Sequence, residues 1–458
     1  MTETSPPPSP PTRPPFRLGR AGKLGLVGGL LLVLLVPHLM IEAVIGERES
    51  YQEEVRAGIA QSWGQAQSVL GPVLVVPTRS LRLPAVATVP MGGETVRPAA
   101  EVARYERGAI TVLPAQLGAE ARLSPDRRRR GLFEAVVYEA ALDFTASLAV
   151  PPVTVPDGTE LLWREAFLVT GATDLRAAAG GARLAVDGRA LQPRDAGAGS
   201  CGALELIGWD LGLDGPPAPD RPLAIAGALA LRGTGSFGLL PLARRAEFSV
   251  AAPWPTPSFQ GAGLPVRADV TDSGFEAQWR EGTGQPLVRG PRDGWCSGLS
   301  LSGGTEVGVS LLEAVPTYRM VTRASKYAAM FLALAFLTYV LFELLARVRI
   351  HLVQYALLGL SVVLFPLLLL AFGEPLGFAA AYAISTVAVV AQASAHTWAV
   401  TRRAGLAGLF AAVLGGLFGF LYVVLSLEAY ALLAGAVALF AALSAVMFVT
   451  RRVDWAEG

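Results

Sequence analysis

Histidine and cysteine are nearly missing from this chain. Its 458 residues include three histidines and two cysteines. His38, His351 and His396 all fall in or beside long apolar runs, and no two share metal-ligand spacing, so no histidine zinc site is expected. Cys201 and Cys296 are too few for a Cys-type zinc site or a disulfide framework; they allow either one bridge in an oxidising compartment or two separate thiols. Charge is scarce as well, at 16%, against about 25% in a soluble protein. The formal net charge of +1 leaves no electrostatic footprint for nucleic acid. Neither H-E-x-x-H nor G-x-S-x-G occurs, and the stretch between the apolar runs lacks histidine, the commonest general base. Ser325 and Lys326 are sequence neighbours, which do not face each other on a helix. No catalytic residue, metal ligand or cofactor is therefore expected.

What the chain does have is hydrophobic length. After a Pro-rich segment, with 1–23 read as a disordered cytoplasmic tail, residues 24–45 form an apolar run behind Arg13, Arg17, Arg20 and Lys23. No small-x-small cleavage site follows, so this is an uncleaved signal anchor. Five more runs, at about 327–346, 352–372, 377–398, 404–425 and 428–450, are each long enough to cross about 30 Å of hydrocarbon. Arg347 and Arg349, Arg402 and Arg403, and Arg451 and Arg452 occupy alternate connections, while Gly373-Glu374-Pro375 and Ser426-Leu427-Glu428 carry no basic residue. The positive-inside rule then places both termini, including the tail 451–458, in the cytoplasm and residues 46–320 outside. The expected fold is a six-span α-helical membrane bundle plus a large, mostly antiparallel β-rich periplasmic domain.

Within 46–320, residues 46–70 read as an amphipathic helix with the apolar stripe Tyr51, Val55, Ile59, Trp63, Ala66 and Leu70, ended by Gly71-Pro72. From 71 to 320 the pattern becomes short strands, including Val73–Val76, Phe133–Phe144 and Leu223–Leu231, punctuated by Gly, Pro and Asp clusters. The basic run Arg127 to Arg130 follows Pro125-Asp126 and reads as a solvated loop. Gly233-Thr234-Gly235-Ser236-Phe237-Gly238 matches G-x-G-x-x-G, but Leu239-Leu240-Pro241 follows where a dinucleotide site needs a helix, so a glycine-rich turn is expected.

Ionisable groups inside apolar runs draw attention because charge in a bilayer is costly. Glu343 has Arg347 four positions on, the favoured order for a helical pair; a structural pair and a part in a proton or ion path are the two readings. His351 lies at the head of the next span. His38 and Glu42 are four apart, as are Gln392 and His396, which could hydrogen-bond across helices. Gly408, Ala412, Gly415 and Gly419 form a small-residue stripe suited to helix packing. In the outer domain, Trp254, Pro255, Pro257, Phe259 and Gly261 mark a loop whose prolines exclude a central strand; it is either a rigid structural turn or an interaction surface.

With these segments placed, the chain resembles the bacterial inner membrane protein CreD family over about residues 40–455. The matching blocks include Gly46-Glu47-Arg48, Trp63-Gly64, Gln67 and Gly71-Pro72; Arg130-Gly131-Leu132-Phe133 with Tyr138; Leu231-Arg232-Gly233-Thr234; Trp254-Pro255 with Pro257-Ser258-Phe259; Lys326-Tyr327, Phe342-Glu343 and Arg349-Ile350-His351; and Asp454-Trp455. Thr78, Leu352 and Pro366 depart from the family pattern, the last two in the second span of the bundle. The resemblance implies an inner-membrane location, a link to a two-component regulon, and association with envelope integrity and colicin E2 tolerance; no enzymatic activity or cofactor is established for the family.

The function expected is thus a non-enzymatic membrane protein whose partners are the lipid bilayer and envelope proteins or amphiphilic ligands bound by the β domain. The alternatives are a transporter or channel-like bundle with a periplasmic receptor domain and, more weakly, a membrane-bound hydrolase.

Overall fold

A computed structural model describes residues 20–82, 104–177, 181–194, 199–282, 288–292, 306–311, 317–346, 348, 350–426 and 431–451. The chain divides into a helical unit, 1–52 with 315–458, and a β unit, 53–314.

The β unit contains two sheets. In the first the order is β14 (Pro257–Gly261), β18 (Val307–Leu311), β12 (Ser236–Leu240), β1 (Gln67–Arg82), β6 (Phe167–Ala172), β10 (Leu204–Asp210) and β9 (Ser200–Cys201). Strands β2 (Arg104–Val112) and β5 (Thr159–Leu161) also pair with β1, and β17 (Val288–Arg292) pairs with β2. The second sheet runs β15 (Arg267–Thr271), β16 (Gly274–Glu281), β13 (Arg245–Ala252), β3 (Gln116–Arg130), β4 (Phe133–Leu148), β11 (Leu223–Thr234), β7 (Ala182–Val186) and β8 (Arg189–Ala190). Among the described residues, β1–β12 and β3–β13 are parallel and the other ladders antiparallel. Alternation builds the core: Leu117, Ala119, Ala121 and Leu123 of β3 point inward at 2–3% exposure, between exposed or half-buried neighbours. They join one apolar cluster with Leu74 of β1, Phe237 of β12, Phe248 of β13 and Trp279 of β16, so both sheets share that core.

Three sequence expectations need correction here. The helix expected to reach residue 70 ends at Trp63 and belongs to one helix, α1 (Arg20–Trp63), which also contains the apolar run and Pro37. Gly64 stops it with a positive φ of 148°. Val55 and Ile59 of the expected stripe are buried, but Gln67–Leu70 pair with β12 instead. Gly71-Pro72 is not a helix stop: it lies where the β1–β6 register shifts, a bulge that tolerates a residue without an N–H. Second, Arg127–Arg130 is not a loop. It is the end of β3, paired residue by residue with Val136 back to Phe133 and closed by the two-residue turn Gly131-Leu132, although its face is solvated. Third, the Trp254 segment is a turn only at its start; Pro257–Gly261 forms edge strand β14 on β18, where the prolines interrupt no central ladder.

The G-x-G-x-x-G stretch is the corner at which the chain leaves the second sheet for the first. Gly235, with φ 76°, separates β11 from β12. Gly233 lies against the Tyr138 ring, so a side chain there would collide with it.

The helical unit holds the rest of α1 with α2 (Thr317–Leu345), α3 (Leu352–Val363), α4 (Phe365–Leu376), α5 (Phe378–Thr401), α6 (Ala404–Ser426) and α7 (Ala431–Thr450). Among the described residues, five helical stretches are long and apolar enough to cross a membrane: Gly25–Trp63, Thr317–Leu344, Leu352–Leu376, Phe378–Thr401 and Ala404–Ser426. The span expected at 352–372 is interrupted between α3 and α4. Pro366, at the first turn of α4, has no N–H to continue the α3 ladder. Aromatic rings fill the interior: Phe331 stacks on Phe418 at 5.7 Å and Tyr339 meets Tyr355 edge-on at 5.5 Å. The expected small-residue stripe is not a packing seam among the described residues. Side chains added at Gly408, Gly415 or Gly419 would meet nothing within 4 Å, because α6 buries the face of Phe410, Leu414 and Phe418. Gly359 is a close-packed glycine, lying against Leu34 of α1 and Phe336 of α2.

Candidate functional sites

Two polar clusters join helices of the helical unit. At one, Arg48 of α1 grips Glu374 of α4 with both arms of its guanidinium, Nε at 2.8 Å and Nη2 at 2.6 Å, and the Tyr318 hydroxyl of α2 donates to the same carboxylate at 2.6 Å. The Glu374 side chain is 11% exposed, so its charge is held by donors rather than water. At the other, Lys23 of α1 pairs with Glu343 of α2 and donates to the Ile350 carbonyl at 2.7 Å. Lys23 and Arg48 are twenty-five positions apart on α1, as are Tyr318 and Glu343 on α2. At 1.5 Å per residue both intervals are about 37 Å, between the about 30 Å of a bilayer's hydrocarbon and the 40–45 Å that includes its headgroup regions.

Between these clusters, His38 Nε2 lies 3.7 Å from Glu42, whose carboxylate accepts a 3.5 Å contact from Ser325. His38 is 5% exposed and its Nδ1 has no partner.

The remaining intramembrane candidates are dispersed. Glu343 is engaged by Lys23 and by the Tyr355 hydroxyl at 3.4 Å; Arg347 lies outside the described residues. His351 is exposed and caps α3, its Nδ1 accepting from the Val353 N–H while Gln354 Oε1 accepts from the His351 N–H. That is a capping box, a helix-start device. Gln392 does not meet His396: its Oε1 accepts from Ser361 at 3.0 Å, and His396 Nε2 is buried without a partner. Sequence reasoning missed Lys23, Arg48, Tyr318 and Glu374 as partners. Their side-chain pairs join residues 56 to 326 positions apart, and neither charge sign nor periodicity encodes which helix packs on which.

In the β unit, Trp254 is 9% exposed and Phe259 packs edge-on against Phe275 and Trp279, at 6.0 and 5.8 Å. The aromatic side chains of this segment thus serve the core, leaving Pro255 and Gly261 at the surface. Cys201 is buried and disulfide-bonded; Cys296 lies outside the described residues. Tyr138 is the central buried polar residue. Its hydroxyl donates to the Ser236 carbonyl at 2.5 Å and accepts from the Gln67 N–H at 3.3 Å. Burial pushes its pKa well above the ordinary phenol range. The Gln67 side-chain amide donates to the Asp174 and Arg232 carbonyls. The cavities on the second sheet are open grooves, among them one of about 430 Å³ beside Glu120, Asp143, Glu247 and Arg280, one of about 460 Å³ beside Arg122, Asp269 and Glu276, and one of about 630 Å³ lined largely by small residues such as Gly118, Ala224 and Ala226. Among the described residues no three His, Cys, Asp or Glu side chains group as metal ligands would.

Solved structures of an M1 zinc metallopeptidase from Deinococcus radiodurans overlap 47% of this chain and 53% of that one, at 9% identity and a TM-score of 0.21, too low a likeness to support an argument about fold or chemistry. Much more extensive is the similarity to the inner membrane protein CreD of Escherichia coli strain K12, which is 30% identical over 441 residues, covering 94% of this chain and 93% of that protein. The family model for inner membrane protein CreD matches residues 20–456. With long apolar helices before and after a large β unit in the sequence, this chain belongs to the CreD family of inner membrane proteins.

Proposed function

We propose that this protein crosses the inner membrane six times, with both ends cytoplasmic and the β unit in the periplasm, and that the β unit supports envelope integrity by binding envelope components or amphiphiles without catalysis. The observation that carries the reading is the matched spacing of the two helix-joining polar clusters, which suits a bilayer between them. The five candidate spans supply five crossings, and α7, 20 residues long, supplies the sixth. The disulfide at Cys201 suits an oxidising compartment, and its proposed partner is Cys296. The open grooves, part apolar and part charged, suit amphiphilic ligands better than a closed catalytic pocket. Glu343 and His351 are occupied by an ion pair and a helix cap, which weakens the case for a transport path through them.

Deletion of the gene followed by detergent and antibiotic challenge tests the role: raised sensitivity, restored by the full chain, is expected. Unchanged sensitivity together with a measurable turnover would overturn it. For the topology, a membrane-impermeant maleimide should label Leu264→Cys in intact spheroplasts, since Leu264 is 74% exposed; labelling only after lysis would place the β unit on the wrong side.

A further inference from the structure

The basic end of the β3–β4 hairpin is not required by the fold in the way the core is. Beyond Ser124, β3 no longer alternates, and Asp126 to Arg130 are all exposed. The strands nevertheless stay paired to Arg130–Phe133 and close through a two-residue turn, with Gly131 at φ 64° and Leu132 at its tip, 60% exposed. Glycine with positive φ at the first turn position is the arrangement that holds such a tight hairpin. The result is a stiff projection that presents arginines and one bare leucine.

The projection has a direction. Trp63 Nε1 of α1 donates to the Tyr138 carbonyl at 3.3 Å, and Arg56 Nε donates to the Glu134 carbonyl at 3.2 Å. Moving from Tyr138 toward the tip therefore follows α1 from Trp63 back past Arg56 within the β unit, and Leu132 lies about 7 Å beyond Glu134 along that line at the rise of a strand. The hairpin is also anchored: the Arg128 guanidinium lies over the Trp63 ring at 4.6 Å, as does that of Arg232 at 4.7 Å, and Arg127 lies over Trp254 at 5.7 Å. Among the described residues, Asp126 and Glu134 supply the carboxylates that pair with the run, through Arg127, Arg128 and Arg129. Those three side chains remain 51–75% exposed.

We propose that this hairpin tip docks on the bilayer, its arginines on the phosphates of anionic phospholipids and Leu132 at the headgroup boundary. The inference rests on the membrane reading above, in which the chain leaves the bilayer and enters the β unit at Glu53 of α1, the end toward which the hairpin runs. Guanidinium groups match phosphate oxygens with paired donors, basic clusters are drawn to anionic leaflets, and one exposed leucine adds apolar contact there. An acidic protein partner would use the arginines but would leave Leu132 without an apolar surface.

The test uses the full chain reconstituted into vesicles of phosphatidylcholine alone or with phosphatidylglycerol. A nitroxide is placed at Leu132→Cys and, as a reference, at Val387→Cys on α5, which is 68% exposed. Collision with a water-soluble nickel chelate at position 132 should fall when phosphatidylglycerol is present and recover in high salt. The fall should be lost in R127Q/R128Q/R129Q/R130Q and kept when the same four positions are lysine. Equal nickel collision in both vesicles, or a fall that survives the four glutamines, overturns the proposal. Position 387 should be shielded from nickel throughout. If it is shielded while position 132 fails, the docking alone is wrong; if it is exposed, the membrane reading itself is wrong and the proposal falls with it.

Discussion

The two units satisfy buried polar groups in different ways. In the β unit the partners are mainly backbone: Tyr138 bonds to Ser236 and Gln67 main chain, and the Gln67 amide to two carbonyls and the Asp174 N–H. In the helical unit each backbone is largely closed on itself, so buried side chains turn to one another: Arg48 and Tyr318 to Glu374, Lys23 to Glu343, Tyr339 to Thr397 at 2.8 Å. Such bonds carry information that ladders do not, because they select which helix meets which. The β unit is therefore specified by packing and register, the helical unit by a few polar pairs over an aromatic interior.

That contrast can be broken by mutation. The largest effect should come from the shared core: Trp279→Ala, at 1% exposure and stacked on Phe248, should destabilise the β unit by about 3–5 kcal/mol. Urea unfolding of the detergent-solubilised chain followed by near-ultraviolet circular dichroism reads this; a loss below 1 kcal/mol would mean the two sheets do not share a core. Next, Arg48→Ala should cost about 2–3 kcal/mol by leaving the Glu374 carboxylate unpaired, a figure reduced because Arg48 itself is partly exposed. The double variant with Glu374→Gln should recover part of the loss. Additive losses in the two single variants would remove the pair as an organising element.

Tyr138→Phe should cost about 1–3 kcal/mol, since the Gln67 N–H and Ser236 carbonyl lose a buried partner. It should also change the alkaline limb. The folded phenol titrates above its ordinary value of 10.0, so below pH 10 both states are protonated and this contribution is fully present. Above pH 10 the unfolded state ionises first, and stability falls by about 1.4 kcal/mol per pH unit for this one group. The phenylalanine variant should lose that slope; identical alkaline limbs would show that Tyr138 ionises freely in the folded state. Smallest is His351→Ala, which removes an exposed helix cap and should cost about 1 kcal/mol or less, with no effect on envelope phenotype. A severe phenotype from that change would restore the case for a transport role.

The sequence made the apolar helices legible because twenty apolar residues in a row have few other uses. It also showed strands at Val73–Val76, Phe133–Phe144 and Leu223–Leu231 through alternation and β-branched composition. The boundary at Trp63 was hidden because Val55, Ile59 and Leu70 keep helical spacing through a strand start, while the actual stop is one glycine with a positive φ. The basic run looked like a loop because Pro125 and four arginines mimic solvated turn composition; only the register with β4 makes it a strand. The polar pairs of the bundle were the least legible. Glu343 drew attention as a buried charge, but its observed partner, Lys23, sits 320 positions away, where local spacing rules do not reach.

Twenty-five residues is close to seven turns of an α-helix at 3.6 residues per turn, so Lys23 and Arg48 are in phase, emerging from α1 at nearly the same azimuth. Tyr318 and Glu343 are in phase on α2 for the same reason. A single alanine inserted into α1 between Lys23 and Arg48 would turn one anchor by about 100° relative to the other, and no substitution of similar charge would repair it. The segment behaves as a vernier: its residues can be exchanged for other apolar ones, but its length cannot be altered by one.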